Sequence, residues 1–289
     1  MIKGIKMMVI KGYKSVLVPY DGSESSSLAL SIACKIQGVD ALHIVTVIPE
    51  YEGDMDIFGN IKGDIQAKGE EILKKAKEEA ESCNVPIKAT LLTGIPDQQI
   101  TAYAETNHCN LIVMGRKGLS DVERVFIGSV TQRVLNSTSR DVLVIPPTSF
   151  NTDGPILVAY DGSPFSQSAL QKAIEFVRDT ETELMVLNVI FTYGKFFSLP
   201  EEAVSELRAK AEGLLESAEK RCLANNVRCS LKITEGEPHI GIKRCVDEVQ
   251  ASMVVIGSRG KRGLNRLILG SVTEKVIAMV DVPVLVVKD

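Results

Sequence analysis

The sequence predicts an α/β fold in two successive copies, each an open sheet of five parallel strands with helices on both faces. Three observations support this prediction: the length of the chain, a long internal repeat, and the alternation of buried apolar runs with helical patterns. The chain has 289 residues, of which 45% are hydrophobic and 24% charged. At roughly 100–200 residues per domain, this length suits two globular domains.

The internal repeat defines the two copies. Val-Pro-Tyr-Asp-Gly-Ser at 18–23 returns as Val-Ala-Tyr-Asp-Gly-Ser at 158–163, a shift of 140 residues. The glycines and the Gly-Ser-Val-Thr of 115–131 return within 257–273, a shift of 142 residues. A loop between the first helix and the second strand would absorb the two-residue difference. We therefore place the domains at 1–148 and 149–289.

Each copy alternates predicted strands with predicted helices. Apolar runs without alternation, such as Leu-Ile-Val-Met at 111–114, are typical of strands buried on both faces of a parallel sheet. Short connections favour right-handed strand–helix–strand units, and we expect the strand order 3-2-1-4-5. The predicted strands are 15–21, 41–48, 86–92, 110–115 and 141–146, then 155–161, 184–190, 228–233, 253–257 and 283–287. The predicted helices of the first copy are 24–36, 64–83, 97–107 and 129–138.

Composition excludes several classes of function. Lys and Arg total 33 against 37 Asp and Glu, a net charge of -4, which argues against a nucleic-acid partner and a polybasic membrane surface. The apolar runs are shorter than the ~20 residues that span a bilayer, and no secretory signal is recognisable, so we expect a cytoplasmic protein without a membrane partner. The six cysteines form no Cys-x-x-Cys motif. We expect reduced thiols, no disulfide and no structural zinc.

Two features of each copy lie where a ligand would bind. In open α/β sheets the ligand crevice lies beyond the carboxyl ends of the strands, where the strand order reverses. Asp21 follows the first predicted strand and Asp161 its repeat, whereas a glycine-rich loop follows the fourth strand of each copy. With the order 3-2-1-4-5, strands one and four are neighbours, so both features would border one crevice.

The glycine loops share the spacing G-x2-G-x9-G-S. Glycine lets backbone N–H groups approach an anion closely, and a helix that begins at Gly128-Ser129 or Gly270-Ser271 would offer its free N–H groups to a phosphate. Taken singly, the glycines are also compatible with a plain turn and the serines with a helix cap, and Asp21 with an acid at a helix start. The full spacing in both copies, downstream of Asp-Gly-Ser each time, favours a phosphate site.

With these motifs the chain resembles a tandem universal stress protein of the ATP-binding branch, and the resemblance covers essentially all of it. The resemblance implies a Rossmann-like five-stranded sheet per domain, with an adenine nucleotide lying over strands one and four. It assigns Asp21 and Asp161 to the adenosine. The remaining positions that it implies are Pro19, Val47, Met114, Gly115, Gly118, Gly128, Ser129 and Val130, then Ala159, Val189, Ile256, Gly257, Gly260, Gly270, Ser271 and Val272.

The expected function is a regulatory stress-response protein that binds ATP at one site per domain. No catalytic residue and no metal ligand from the protein are assigned, although Mg²⁺ is compatible with bound ATP. The alternative is a nucleotide-binding α/β enzyme with slow ATP hydrolysis or adenylyl chemistry, but neither HxGH nor SGGxDS follows strand one. A structural partner protein with degenerate sites is a third hypothesis, against which the intact glycines of both copies count.

Two further expectations concern assembly and charge. The last strands, 142–146 and 284–287, carry little charge, which predicts that they meet as a built-in pseudo-dimer. A homodimer of chains is also compatible with the sequence. Between the first and third motif glycines the second copy carries four basic residues and no acid, whereas the first copy mixes three basic residues with two acids. This predicts stronger phosphate retention at the second site.

Overall fold

A computed structural model gives the fold of the chain. The structure describes residues 10–50, 61–118, 126–148, 150–192, 200–260 and 269–288. The described residues divide into two compact units, one of residues 10–147 and one that begins at Thr148.

The first unit alternates five strands with four helices. Its strands pair in parallel in the order β3-β2-β1-β4-β5. In chain order the elements are β1 Ser15–Pro19, α1 Glu24–Ala33, β2 Ala41–Ile48, α2 Ile61–Ala80, β3 Ile87–Thr93, α3 Pro96–Thr106, β4 Leu111–Gly115, α4 Ser129–Ser137 and β5 Asp141–Ile145.

The second unit repeats this arrangement with its strands in the order β8-β7-β6-β9-β10. Its elements are β6 Ile156–Ala159, α5 Pro164–Val177, β7 Leu184–Ile190, α6 Glu201–Ala224, β8 Cys229–Glu235, α7 Pro238–Val249, β9 Met253–Gly257, α8 Ser271–Met279 and β10 Val284–Val287. Within each unit the predicted α/β class, parallel pairing and helices on both faces are confirmed.

Burial explains why these segments form strands. All five residues of β4, Leu-Ile-Val-Met-Gly, are buried, and so are all five of β5. β3, at the end of the strand order, is partly exposed along its whole length. The apolar runs of β4 and β5 are therefore fully buried, whereas β3, whose sequence mixes polar and apolar residues, is the partly exposed strand.

Serine caps fix where the first helix of each unit begins. The Ser23 side chain accepts a hydrogen bond from Ser26 N, and the Ser163 side chain accepts one from Ser166 N. Such caps satisfy N–H groups that the helix itself leaves unpaired. The helices α1 and α5 therefore start three residues after Asp21 and Asp161, which leaves each aspartate in the loop that follows the first strand.

The prediction of no disulfide is wrong. Cys34, directly after α1, is bonded to Cys83, three residues after α2, with their Cα atoms 5.0 Å apart. No local sequence motif indicates this pair, because 49 residues separate the two cysteines in sequence. Only the packing of α1 against α2 brings them together. The expectation that all six thiols are reduced is therefore also wrong. The other four cysteines, Cys109, Cys222, Cys229 and Cys245, are free.

No helix in the described ranges is long and apolar enough to cross a membrane. Within the same ranges, no group of three or more His, Cys, Asp or Glu side chains is arranged to hold a metal ion.

Candidate functional site

The loop after the first strand holds an aspartate in a fixed position in both units. Asp21 Oδ1 accepts hydrogen bonds from Ser23 N at 3.0 Å and from Ser23 Oγ at 2.5 Å. In the second unit, Asp161 Oδ1 accepts one from Ser163 N at 2.9 Å. These bonds are possible because an aspartate side chain can reach the backbone two residues further on. The same carboxylate oxygen is thus committed to the loop in each unit.

The second motif glycine faces the other oxygen of this carboxylate. A Cβ atom added at Gly118 would lie 2.7 Å from Asp21 Oδ2, and one added at Gly260 would lie 2.8 Å from Asp161 Oδ2. Apart from chain neighbours, no other described residue would come within 4 Å of either Cβ. The loop after the fourth strand therefore lies against the aspartate that follows the first strand, an approach that a side chain at Gly118 or Gly260 would obstruct.

The first motif glycine has a structural role. A Cβ at Gly115 would lie 2.5 Å from Ser25 Cβ and 3.0 Å from the Ser25 carbonyl carbon. At Gly257 the corresponding contact is 2.7 Å, to the Phe165 carbonyl carbon. These glycines let the first turn of α1 and of α5 pack directly on the end of the fourth strand, which brings the aspartate loop close to the glycine loop.

The third motif glycine begins a helix that lacks a side-chain cap. Gly128 N donates to Arg116 O and Gly270 N donates to Ser258 O, both at 2.8 Å. Gly128 and Gly270 are the N-caps of α4 and α8, and neither helix start receives a hydrogen bond from a capping side chain. Ser129 and Ser271 are exposed beside these N–H groups. Such an uncapped helix start favours an anion.

Two threonines that the sequence interpretation did not assign hold this arrangement together. Thr131 Oγ1 donates to Gly115 O and Thr273 Oγ1 donates to Gly257 O, both at 2.9 Å. Both side chains are buried. Each bond ties the first turn of the last helix to the end of the fourth strand. The recurrence of threonine two residues after the motif serine in both copies was the signal that could have identified them.

The remaining predicted positions lie at or near the ends of strands, except Val130 and Val272, which lie in the first turns of α4 and α8. Pro19 and Ala159 end β1 and β6 and are partly exposed, as are Val47, Val189, Val130 and Val272. Met114 and Ile256 are 4% and 5% exposed. The Val189 methyl carbons lie 3.0 and 3.1 Å from the Cβ position of Gly241, so this side chain packs against α7.

Buried tyrosines follow the first strands and lie next to the aspartates. Tyr20 O accepts from Thr46 Oγ1 at 2.9 Å, and Tyr160 O accepts from Asn188 Nδ2 at 2.7 Å. Burial, together with Glu79, raises the pKa of Tyr20 to about 12, and burial also raises the pKa of Tyr160. Both hydroxyls are therefore neutral at physiological pH, and the charge at this point of each loop is the aspartate.

The two glycine loops differ in their charged side chains. Arg116 and Lys117 are buried in the first unit, where the second has a buried Ser258 followed by Arg259. The Arg259 guanidinium carbon lies 4.9 Å from the centre of the Phe165 ring. The other charges behind the predicted inequality of the sites lie outside the described residues: Asp121, Glu123, Arg124, Lys261, Arg262 and Arg266.

Comparison with known proteins relates both units to one family. The sequence model of the universal stress protein family matches residues 12–146 and again residues 154–288. A universal stress protein of Methanocaldococcus jannaschii is 34% identical over 142 residues, which are 46% of this chain and 82% of that protein. The universal stress protein YxiE of Bacillus subtilis is 35% identical over 144 residues, covering 46% of this chain and 97% of that protein.

Similarity to a solved structure extends over nearly the whole chain. A universal stress protein from Archaeoglobus fulgidus, known from its crystal structure, is 26% identical in sequence with a TM-score of 0.70. The match covers 94% of this chain and 97% of that chain. The similarity therefore extends over both units.

Proposed function

Because the chain belongs to the universal stress protein family, we propose that it is a regulatory protein that binds ATP, or a closely related adenine nucleotide, at one site in each unit. One observation carries the proposal. In both units the second motif glycine lies against the carboxylate that follows the first strand, so that a Cβ added at the glycine would be 2.7 or 2.8 Å from a carboxylate oxygen. A repeated site of this kind is expected if each unit binds its own ligand.

The residues fit a nucleotide. A carboxylate accepts hydrogen bonds, so Asp21 and Asp161 would receive those of the ribose hydroxyls. The uncapped starts of α4 and α8 would receive phosphate oxygens on backbone N–H groups. The glycines at 118 and 260 would let the backbone approach the ligand. Since the described residues hold no cluster of metal ligands, any Mg²⁺ would be held chiefly by the phosphates.

The proposed function is ATP binding without fast ATP hydrolysis. Two of the three histidines pack elsewhere. His43 Nδ1 lies 3.1 Å from the Tyr103 hydroxyl, between β2 and α3. His239 Nε2, in α7, lies 3.4 Å from Glu237 Oε2. Neither contact involves a residue of the candidate site. Turnover of ATP at ~1 per second, a low rate for an ordinary enzyme, would contradict the regulatory function and favour the enzymatic alternative.

Isothermal titration with ATP tests the proposal. Gly118→Val and Gly260→Val would each place a side chain beside one aspartate, and the Cβ atom would contact no other described residue apart from chain neighbours, so each should remove one site and leave the fold intact. Gly213→Ala is the matched control, since a Cβ there meets nothing within 4 Å. Undiminished binding in a double Gly118→Val, Gly260→Val variant would show that the nucleotide binds elsewhere or not at all.

The other expectations stay predictions. These are pairing of the last strands, a homodimer of chains, a cytoplasmic location and stronger retention of phosphate by the second site. The difference in phosphate retention is testable with the same two variants. Gly118→Val, which keeps only the second site, should bind ATP more tightly than Gly260→Val, which keeps only the first, and this difference in affinity should shrink as the salt concentration rises.

A further inference from the structure

The disulfide of the first unit lies at the ends of the two helices that pack together on one face of its strands. Cys34 is the residue directly after α1, and Cys83 follows α2 by three residues. Both cysteines are partly exposed. A disulfide in such a position can be reached by a thiol reagent from solution, whereas the fully buried Cys109 cannot.

The N-terminal end of α1, opposite its Cys34 end, lies beside the aspartate of the candidate nucleotide site. α1 begins at its cap Ser23, two residues after Asp21. From α2, the side chain of Ile72 would lie 3.7 Å from a Cβ at Gly22, and Glu79 Oε1 accepts a hydrogen bond from Ser27 Oγ at 3.1 Å. The position of α2 against α1 therefore influences the loop that carries the aspartate.

The second unit holds the same helix ends together without sulfur. Arg178, directly after α5, donates a hydrogen bond from Nη2 to Oδ1 of Asn225, directly after α6, at 2.5 Å. Leu214 of α6 packs against Gly162 as Ile72 packs against Gly22. A reductant would change the link in the first unit and leave the corresponding link in the second unit untouched.

We propose that Cys34 and Cys83 form a thiol–disulfide exchange site for a dithiol reductant, and that its oxidation state sets the nucleotide affinity of the first unit alone. A reductant thiolate attacks one sulfur and breaks the Cys34–Cys83 bond, forming a mixed disulfide. Its second thiol then displaces the protein sulfur. Two electrons and two protons pass to Cys34 and Cys83, which become thiols, and the reductant leaves as its own disulfide.

Loss of the bond should weaken binding at the first site. Without it, α1 and α2 are held only by side-chain packing and by hydrogen bonds such as that of Ser27 with Glu79. The aspartate loop then samples more conformations, and a nucleotide must order it on binding. We expect about a fivefold weaker affinity for ATP, at the low end of typical coupling between two sites. This second part of the inference rests on the proposed nucleotide function.

Thiol counting tests the exchange site without any ligand. The full-length chain is treated under native conditions with dithiothreitol or with buffer, then denatured and alkylated, and its mass is measured. Four alkylated cysteines before reduction and six after it are expected, since six cysteines include four free ones. A count that native reduction does not change, whether it is four or six, would overturn the exchange site.

Titration with ATP then tests the coupling. Gly260→Val keeps only the first site, and it should bind ATP about fivefold more weakly after reduction. Gly118→Val keeps only the second site and should bind equally in both states. Cys34→Ser with Cys83→Ser, in the Gly260→Val chain, should match the reduced form with or without dithiothreitol. Equal ATP affinity of the oxidised and reduced Gly260→Val chain would overturn the coupling, whereas no ATP binding to any form would overturn the proposed function, and the coupling with it.

Discussion

The interior between the second strand and the third helix is polar in the first unit and rich in sulfur in the second. His43 Nδ1 lies 3.1 Å from the Tyr103 hydroxyl, and at the equivalent positions Cys245 Sγ lies 3.6 Å from Met185 Sδ. The backbone pairing is the same, since His43 is opposite Lys88 in β3 and Met185 is opposite Ser230 in β8. The same backbone arrangement thus holds a polar side-chain pair in the first unit and a pair of sulfur-containing side chains in the second.

A second pair of equivalent positions differs in charge. Asp97 Oδ1 in α3 accepts a hydrogen bond from Arg133 Nε in α4 at 2.7 Å. The equivalent residues of the second unit are His239 and Lys275, and the nearby lysine helps lower the pKa of that histidine. The bonds that build the candidate sites, in contrast, agree between the units within 0.1 Å: 2.8 and 2.8 Å for the third glycine, and 2.9 and 2.9 Å for the threonine. The side chains differ at these two packing positions, whereas the hydrogen bonds of the motif glycine and threonine repeat at the candidate sites.

The largest expected difference between the units is the stability that the disulfide provides. Replacing both Cys34 and Cys83 by serine should cost about 4 kcal/mol of unfolding free energy, the chain-entropy estimate for a loop of about 50 residues. Asn225→Ala, which removes the corresponding hydrogen bond of the second unit, should cost only about 1 kcal/mol. Urea unfolding measures both. If the double serine variant loses less unfolding free energy than Asn225→Ala does, the covalent link adds no stability.

The first motif glycines should show the next largest effect. Gly257→Ala brings a Cβ within 2.7 Å of the Phe165 backbone and should cost about 2–3 kcal/mol. Gly115→Ala should cost a similar amount, because its Cβ would lie 2.5 Å from Ser25 Cβ. Gly213→Ala, in a helix with open space around it, should be neutral or stabilising by up to about 1 kcal/mol. If Gly257→Ala unfolds at the same urea concentration as Gly213→Ala, the close packing of α5 on β9 is wrong.

Acid should destabilise both units, each through a different histidine. Burial lowers the pKa of His43, with a smaller effect of Lys88, and burial followed by Lys275 lowers that of His239. The unfolded chain therefore binds more protons than the folded chain, so the stability contributed by these histidines is present above the ordinary histidine pKa of about 6.5 and is lost as pH falls through the lower folded values.

Melting temperatures between pH 8 and pH 5 measure this loss. His43→Gln and His239→Gln should each make the melting temperature less dependent on pH in this window, and the double variant should do so most. A melting curve whose pH dependence is the same with and without both histidines would contradict the assignment.

The smallest expected effect is that of the exposed partner in the ion pair. Arg133→Ala should cost about 1 kcal/mol at pH 7, because Arg133 is 52% exposed and solvent screens much of its interaction with Asp97. Lys275→Ala should change the stability by less than about 0.5 kcal/mol at the same pH. Equal losses in the two variants would mean that the ion pair adds nothing to the packing of α3 on α4.

The repeat and the apolar runs were sufficient to predict the fold within each unit. Leu-Ile-Val-Met at 111–114 is predictable as a buried strand because all four of its side chains are apolar. Helix ends were less accurate: α2 is Ile61–Ala80 and not 64–83, because Cys83 belongs to the turn that carries the disulfide. The aspartates and glycines could be found because their spacing repeats. The Cys34–Cys83 bond and the Arg259–Phe165 contact depend on how helices pack, which no local pattern encodes.

The central claim is that both units bind a nucleotide in the same way, and native mass spectrometry of the chain with excess ATP tests it most directly. We expect two ATP molecules per wild-type chain and per Gly213→Ala chain, one for Gly118→Val, one for Gly260→Val, and none for the double valine variant. Two ATP molecules on the double valine variant, or one on the wild-type chain that a single valine substitution does not remove, would contradict it.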